Sequence, residues 1–468
     1  MNNEGDMALN KPTREDIQRL TEIAEEVRID ERVEDYCHDE SPNLSATPSI
    51  VLLPDNETKI AEILKYANSK CLPVVPRGLG TGVAGGSIPI DSAILISLER
   101  LNRIIEIDED NLMVVTQPAV ITGDLRRAVE AKGLFYPPDP ASMDSCSIGG
   151  NFQTNAAGMT AVKYGLTRDY VKGFRAVLPT GEIIRYGGKL VKNVAGYDLA
   201  QIVIGSEGTL AITTEITLKL LPLPMHHVDL LIGFDSVEDA VAAVSEIIRR
   251  KIVPSTIEFM EGELIRITSD ALGKELPMKE VDAQLIVSLD SGSEEELEKR
   301  YFELGEIALE LGAVDVLVAD TRPFQERIWD ARRSMRDALR IVSPTIVAED
   351  VAVPRASLGK LWSGARELGE RFGIRVLSFG HAGDGNLHID ALKDDIPDER
   401  WGKIMEEYVP ELFKLAVSLG GTITAEHGIG ILKRRYLPIG VGKAERELMA
   451  RIKAAFDPNG ILNPDKAI

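Results

Sequence analysis

Three histidines stand in company that could do chemistry. In RVLSFGHAGDGNLHIDAL (375–392), His381 and His388 flank a Gly-Asp-Gly-Asn turn signal. A two-residue hairpin turn at Asp384-Gly385 would pair 383 with 386, 382 with 387, and 381 with 388. Directly opposed residues project to one side of a sheet with Cβ atoms about 4.5–5.5 Å apart, so both imidazoles can share one metal ion. Such a centre wants a third protein ligand and an open position for substrate. GGTITAEHGIG (420–430) offers Glu426 and His427 after a short apolar run. Neighbouring strand residues point opposite ways, so the economical division sends Glu426 to the metal and His427 toward the reacting carbon. The plain alternative is a pair of satisfied histidines. The donor set suits Zn²⁺ first, and Fe²⁺ or Mn²⁺ also fit. His38, in a charged arm, and His226 and His227, in a proline-bounded segment, read as solvated surface.

The front half carries a different signal. PRGLGTGVAGGS (76–87) puts Gly78, Gly80, Gly82, Gly85 and Gly86 directly after an apolar strand. Glycines let backbone N–H groups converge on an anion, and such a nest suits a pyrophosphate. It is neither a Walker loop nor a clean G-x-G-x-x-G, and alone it could be a tight turn. DPASMDSCSIGGNFQTNAAGMTAVKYGLTRDY (139–170) adds small residues and side-chain amides that can line a planar ligand. GYDLAQIVIGSEGTLAI (196–212) adds a third small-residue loop between apolar strands. Three such loops in one domain point to one extended cofactor.

P-R-G-x-G-T-G, S-x-G-G-N-x-x-T-N-A-x-G and I-G-S-E-G-T-L-A-I-x-T, in that order, resemble the FAD-binding half of the vanillyl-alcohol-oxidase-type flavoproteins. The nearest branch is that of glycolate oxidase, D-lactate dehydrogenase and D-2-hydroxyglutarate dehydrogenase, and the match runs over roughly residues 45–468. The resemblance implies FAD with its pyrophosphate on Pro76, Arg77, Gly78, Gly80, Thr81 and Gly82. The flavin would lie near Pro140, Ser142, Ser147, Gly149, Gly150, Asn151, Asn155, Ala157 and Gly158. Gly205, Glu207, Gly208 and Ile212 would add contacts. No histidine lies between His38 and His226, and Cys146 reads as a small buried thiol, so non-covalent FAD is expected.

The same resemblance makes His381, His388 and Glu426 the ligands of a divalent ion and His427 the acid–base. The substrate would be a 2-hydroxy acid, whose carboxylate a guanidinium can clamp through two parallel hydrogen bonds. RIWDARRSMRDALRI (327–341) sets Arg332 and Arg336 four apart on one helix face, although such arginines could simply balance Asp330 and Asp337. Arg332, three residues after Trp329, matches the family's carboxylate contact. Other polar contacts of the 2-hydroxyglutarate branch do not align, which favours lactate or glycolate over the larger diacid. The expected activity is FAD-dependent, metal-assisted oxidation of a D-2-hydroxy acid to the 2-oxo acid. Two rivals are a flavin-binding subunit without its own catalysis, which should lack the metal hairpin and EHG, and a metallohydrolase, which has no use for the glycine loops.

Composition narrows the partners. The chain has 53 Lys and Arg against 74 Asp and Glu, a net charge of −21, which disfavours nucleic acid and anionic lipid. There is no 18-residue apolar run and no leader-like N-terminus, so a cytoplasmic protein without membrane insertion is expected. Three scattered cysteines cannot hold an iron–sulfur cluster. Electrons must therefore leave to a separate acceptor: an electron-transferring flavoprotein, an iron–sulfur subunit or a quinone.

The elements that must position these residues read as an α+β protein. A helical arm (1–45) precedes a two-subdomain FAD-binding domain (46–224), where strands such as SIVLLP, LPVVPRG and AILISL mix with the helix ETKIAEILKYANSK. LPLPMHHV (221–228) reads as a hinge. A substrate, or cap, domain with an antiparallel sheet follows (225–419). The segment 420–468, ending in a turn-rich tail, completes the active site and packs back on the FAD domain.

Overall fold

The computed structural model describes residues 9–468; the leader reading of the N-terminus falls mainly on positions outside the described residues. The chain forms two compact units. The first holds the described residues up to Ala157, then Leu166–Leu223 and Glu426–Ile468; the second holds Gly158–Gly165 and Pro224–Ala425.

The first unit contains two main sheets. Ile50–Leu52, Ile94–Ser97 and Val74–Arg77 run parallel side by side, and Val27–Arg28 pairs antiparallel at the edge. Nearly all of these residues are apolar and buried, as strands covered on both faces require. Helix Glu57–Lys70 makes the crossover between two of them. Asn56 caps it by accepting the Lys59 N–H at 3.0 Å, and Ile60, Ile63, Leu64 and Ala67 give it one buried face. The N-terminal arm is not a separate body. Helix Arg14–Ala24, legible from Leu20 and Ile23 at helical spacing as a surface helix, lays Leu20, Ile23 and Ala24 into the same core as Ile50, Ile60 and Leu462.

The other main sheet is antiparallel in the order Ile104–Asp108, Met113–Thr116, Ile212–Lys219, Val171–Val177, Ile183–Gly187. The end of the chain returns to the first sheet. Val74 donates to the Ile461 carbonyl at 2.8 Å and accepts from the Asn463 N–H at 2.7 Å. Before this turn-rich tail lies helix Lys443–Phe456, which the sequence reading did not register. It buries none of its residues, although Leu448, Ile452 and Phe456 recur at four-residue spacing.

The second unit is built on one seven-stranded antiparallel sheet. Its order is Ala313–Ala319, His226–Phe234, Ala283–Ser291, Thr256–Glu261, Arg375–Gly380, Asn386–Leu392, Ile346–Ala352. Helix Arg322–Val342 covers one face through Ile328, Ala331, Met335 and Leu339, which pack on Met260, Leu377 and Phe379. The short helix Ala161–Tyr164 belongs here too. Lys163 and Tyr164 both reach the Asp290 carboxylate, and Val162 packs against Gly383.

Candidate active site

The three glycine loops converge within the first unit. A Cβ at Gly78 would stand 2.7 Å from Ser147 Oγ, and one at Gly208 would stand 2.8 Å from Pro76 Cγ, so the first loop touches the other two. The amides of Gly78, Leu79, Gly80, Thr81 and Gly82 donate to no protein acceptor among the described residues. Five successive unengaged N–H groups in a half-buried loop form a cradle of the kind a pyrophosphate occupies. The residues present therefore fit FAD.

Several expected cofactor contacts spend their side chains on the scaffold. Arg77 is buried and turns inward to the carbonyls of His38 (2.7 Å) and Asp35 (3.4 Å). The loop closes over this guanidinium at Gly80, whose φ of +75° and lack of Cβ permit the approach. The Pro140 and Ser142 carbonyls close the turn leading to Cys146, itself buried beside Thr122. Ser147 then caps a short helix, Ile148–Thr154, where the sequence showed only a small-residue run. Gly149 lets that helix meet Pro118, and Gly150 donates to the Ser147 cap. Asn151 gives its side-chain amide to Thr122 (2.7 Å), and Asn155, at φ +53°, takes the Arg168 N–H (3.0 Å). Ala157 and Gly158 stand at the boundary between the units. Gly205 and Gly208 have positive φ, and Ile212 opens a buried strand.

Glu207 accepts the N–H groups of Ile429 (2.8 Å) and Gly430 (2.7 Å). Gln153, which no sequence signal marked, stitches the second loop to the third. Its Oε1 accepts from Ser206 Oγ and the Gly208 N–H, and its backbone carbonyl accepts from Glu207.

In the second unit, the hairpin differs from the expected one. Phe379, not His381, pairs with His388, because residues 381–385 form a longer loop with a 3₁₀ turn at Ala382–Asp384. Gly380, at φ +154°, sends His381 out of the ladder. The two imidazoles nevertheless meet, with ring centroids 5.3 Å apart and planes at 81°. The longer loop changes the register and keeps the proximity.

His381 is oriented from behind. Its Nδ1 lies 2.6 Å from Glu258 Oε1, which makes Nε2 the nitrogen that could serve as a metal ligand. Glu258 is fully buried and also receives Arg332 through Nε at 2.7 Å and through Nη2. Burial alone would raise this carboxyl; the Arg332 charge and His381 outweigh it and hold it below its ordinary value. Arg332 thus commits two of its three nitrogens to Glu258, so the two-pronged substrate clamp expected from sequence is not what this arrangement offers. Arg336 lies beside it and reaches Asp390 at 3.2 Å. Both guanidiniums stack over Phe379, at 4.7 and 5.2 Å from its centroid, and Phe379 lies 5.1 Å from the His388 ring.

Asp350 is the strand partner of His388 and offers a ligand atom within 4.8 Å of it. It accepts from Asn386 Nδ2 (2.7 Å), Thr424 Oγ1 (3.1 Å) and the Ala425 N–H (2.9 Å). Those donors occupy most of its lone pairs and make it an anchor for the segment entering Glu426, one peptide bond beyond Ala425. In the first unit, His427 Nε2 lies 3.8 Å from Glu426 Oε1.

The histidines read as surface resolve differently. His38 is exposed and uses its carbonyl alone on Arg77. His227 is exposed but bonded to the buried Asp229 at 2.9 Å, which also takes Trp329 Nε1 and Ser288 Oγ.

A glycine-cradled dinucleotide site on one unit and a histidine- and arginine-bearing antiparallel sheet on the other define a two-unit flavoprotein oxidoreductase. A family model described as an FAD binding domain matches residues 48–187, and one described as FAD linked oxidases, C-terminal domain, matches residues 223–467. The glycolate oxidase subunit GlcD of Bacillus subtilis (strain 168) is 41% identical over 92% of this chain and 91% of its own length. A D-lactate dehydrogenase of Anaerostipes hadrus is 39% identical over 98% of both. The solved structure of p-cresol methylhydroxylase with substrate bound has a TM-score of 0.79 at 17% identity, covering 96% of each chain, and shares the fold. The chain belongs to the FAD-linked oxidase family and binds FAD. Among the described residues, no helix is long and apolar enough to cross a membrane.

Proposed function

We propose that the chain oxidises the CH–OH of a small D-2-hydroxy acid to the 2-oxo acid, with D-lactate or glycolate ahead of D-2-hydroxyglutarate. FAD is held without a covalent bond. One divalent cation, Zn²⁺ ahead of Fe²⁺ or Mn²⁺, is held by His381, His388 and Glu426, with Asp350 behind them. The relatives named above, a glycolate oxidase subunit and a D-lactate dehydrogenase, support the substrate class.

One observation carries the reading: a single buried carboxylate, Glu258, holds both His381, expected to ligate the metal, and Arg332, expected to meet the substrate. When bound, FAD would supply the two-electron oxidant, and the cation would supply Lewis acidity toward the C2 hydroxyl. His427 takes the hydroxyl proton, a contribution of about 10²–10⁴-fold for a positioned base. The third nitrogen of Arg332 and the guanidinium of Arg336 face the substrate carboxylate and fix which side of C2 is presented. Phe379 backs both cations and keeps water from that side. Electrons leave to a separate electron-transferring flavoprotein, iron–sulfur subunit or quinone.

The test is anaerobic bleaching of the flavin by a panel of D- and L-2-hydroxy acids, with metal analysis of the same sample. Bleaching by small D-acids in metal-loaded protein, and its loss after chelation, is the expected result. A flavin that no hydroxy acid reduces removes the reading. Rapid aerobic turnover with stoichiometric peroxide replaces the separate acceptor with oxygen.

A further inference from the structure

We propose that Glu207, expected from sequence to touch the cofactor, is a positioning residue for His427. The inference rests on the reading of His427 as the proton acceptor. Its carboxylate holds the turn that follows that histidine. The two oxygens accept the successive amides of Ile429 and Gly430, at 2.8 and 2.7 Å. Two adjacent N–H groups can converge on one anion only when the backbone between them curls. Gly428 at φ +82° and Gly430 at φ +50° supply that curl. A Cβ at Gly428, the residue directly after His427, would stand 3.0 Å from Glu207 Oε1, so the carboxylate lies against the histidine's own peptide.

The backbone at Glu207 points the same way. Its φ is +52°, between Gly205 at +76° and Gly208 at +71°, where glycine would sit without strain. From this left-handed backbone the side chain reaches the Ile429 and Gly430 amides, a contact that glycine could not make. The rest of the turn is fixed by neutral contacts: Ile431 donates to the Ala84 carbonyl at 2.9 Å, and Ala467 to that of Gly430 at 3.2 Å. Glu207 alone reaches the Ile429 and Gly430 amides with a side chain; burial pushes its carboxyl above its ordinary value, against the pull of these two N–H groups and of Lys466. Asn463 donates to the Glu207 carbonyl at 2.7 Å and fixes the backbone from which the carboxylate reaches.

The test compares the parent holoenzyme with Glu207→Gln, which keeps one acceptor oxygen and presents an NH₂ group to the other amide. Glu207→Asp, which keeps the charge and shortens the reach, serves if the first variant does not fold. Two readouts are taken: flavin reduction by D-lactate, and acylation of His427 by diethyl pyrocarbonate followed by peptide mass spectrometry. The expected result is full FAD occupancy, kcat lower by about 10–100-fold with KM within about twofold, and acylation of His427 several-fold faster. Parent-like acylation overturns the proposal. So does loss of FAD with a parent-like rate in the fraction that retains it, which would make Glu207 a cofactor contact. If the parent reduces its flavin with no hydroxy acid, the proposed function fails, and the acylation readout still decides the role of Glu207.

Discussion

His381 Nδ1 and Glu258 Oε1 lie 2.6 Å apart in a fully buried setting, and the same carboxylate takes Arg332. One anion therefore orients an imidazole and a guanidinium that sequence places 49 residues apart.

Glu258→Gln should weaken metal binding by about 10–100-fold, the usual effect of losing the hydrogen-bond partner behind a ligating imidazole. Equilibrium dialysis against a competing chelator, with elemental analysis, reads this directly. Unchanged affinity would show that His381 needs no orientation from Glu258.

Arg332→Lys should act mainly on substrate capture. Lysine has no planar fork, so it cannot hold Glu258 through two nitrogens and still face a carboxylate. An increase in KM for D-lactate of about tenfold or more is expected, with a smaller loss of kcat. Steady-state kinetics with a small artificial acceptor checks it; equal falls in kcat and kcat/KM would instead mark a contact made only in the transition state.

Glu261 sets a pH dependence of stability. Burial pushes its carboxyl from 4.5 up to about 7, against the opposing pull of Arg366 and of the Ser378 N–H, with Glu263 adding to the rise. The unfolded chain releases this proton first as pH rises. Stability is therefore lost between about pH 4.5 and 7 and is flat on either side, as far as this group contributes. Glu261→Gln removes that slope. Its melting temperature relative to the parent should become more favourable from about pH 5 to about pH 7.5. A difference that stays constant across the range would contradict the shift.

Gly80→Ala should empty the flavin site. The residue has φ +75°, and a Cβ there would overlap the buried Arg77 guanidinium, so either the loop or that side chain must shift. The positive φ alone costs roughly 1 kcal/mol for a non-glycine residue. Absorbance of the purified variant near the flavin band, compared with protein mass, should fall well below one FAD per chain. Full occupancy would mean that the cradle does not depend on the course of this loop.

The residues that spacing could reveal were those sharing a short segment. The glycine loops, the His381 and His388 pair and the Glu426-His427 step each lie within one stretch of chain, so their chemistry shows in a single line of sequence. Glu258 and Asp350 do not, because their partners come from distant elements, and each shares its strand with a second acid, Glu261 or Glu349, from which the sequence does not set it apart. A glutamate inside the apolar run STIEFM is itself a signal, since an acid buried in a sheet must find a partner. The hairpin register was missed because Gly380 and a 3₁₀ turn replace the two-residue turn that Asp384-Gly385 suggested. Side-chain direction was the least legible property. Arg77, Asn151 and Glu207 have the right types for a cofactor, yet all three turn into the protein.

The bridge between Val74 and the Ile461–Asn463 backbone has a consequence for biosynthesis. The strand that launches the first glycine loop gains its last partner only from Ile461–Asn463, which lie far along the chain from Val74. A nascent chain that has not yet extruded that segment lacks a neighbour for the strand, so capture of FAD in its final form should wait until residues 461–463 have left the ribosome.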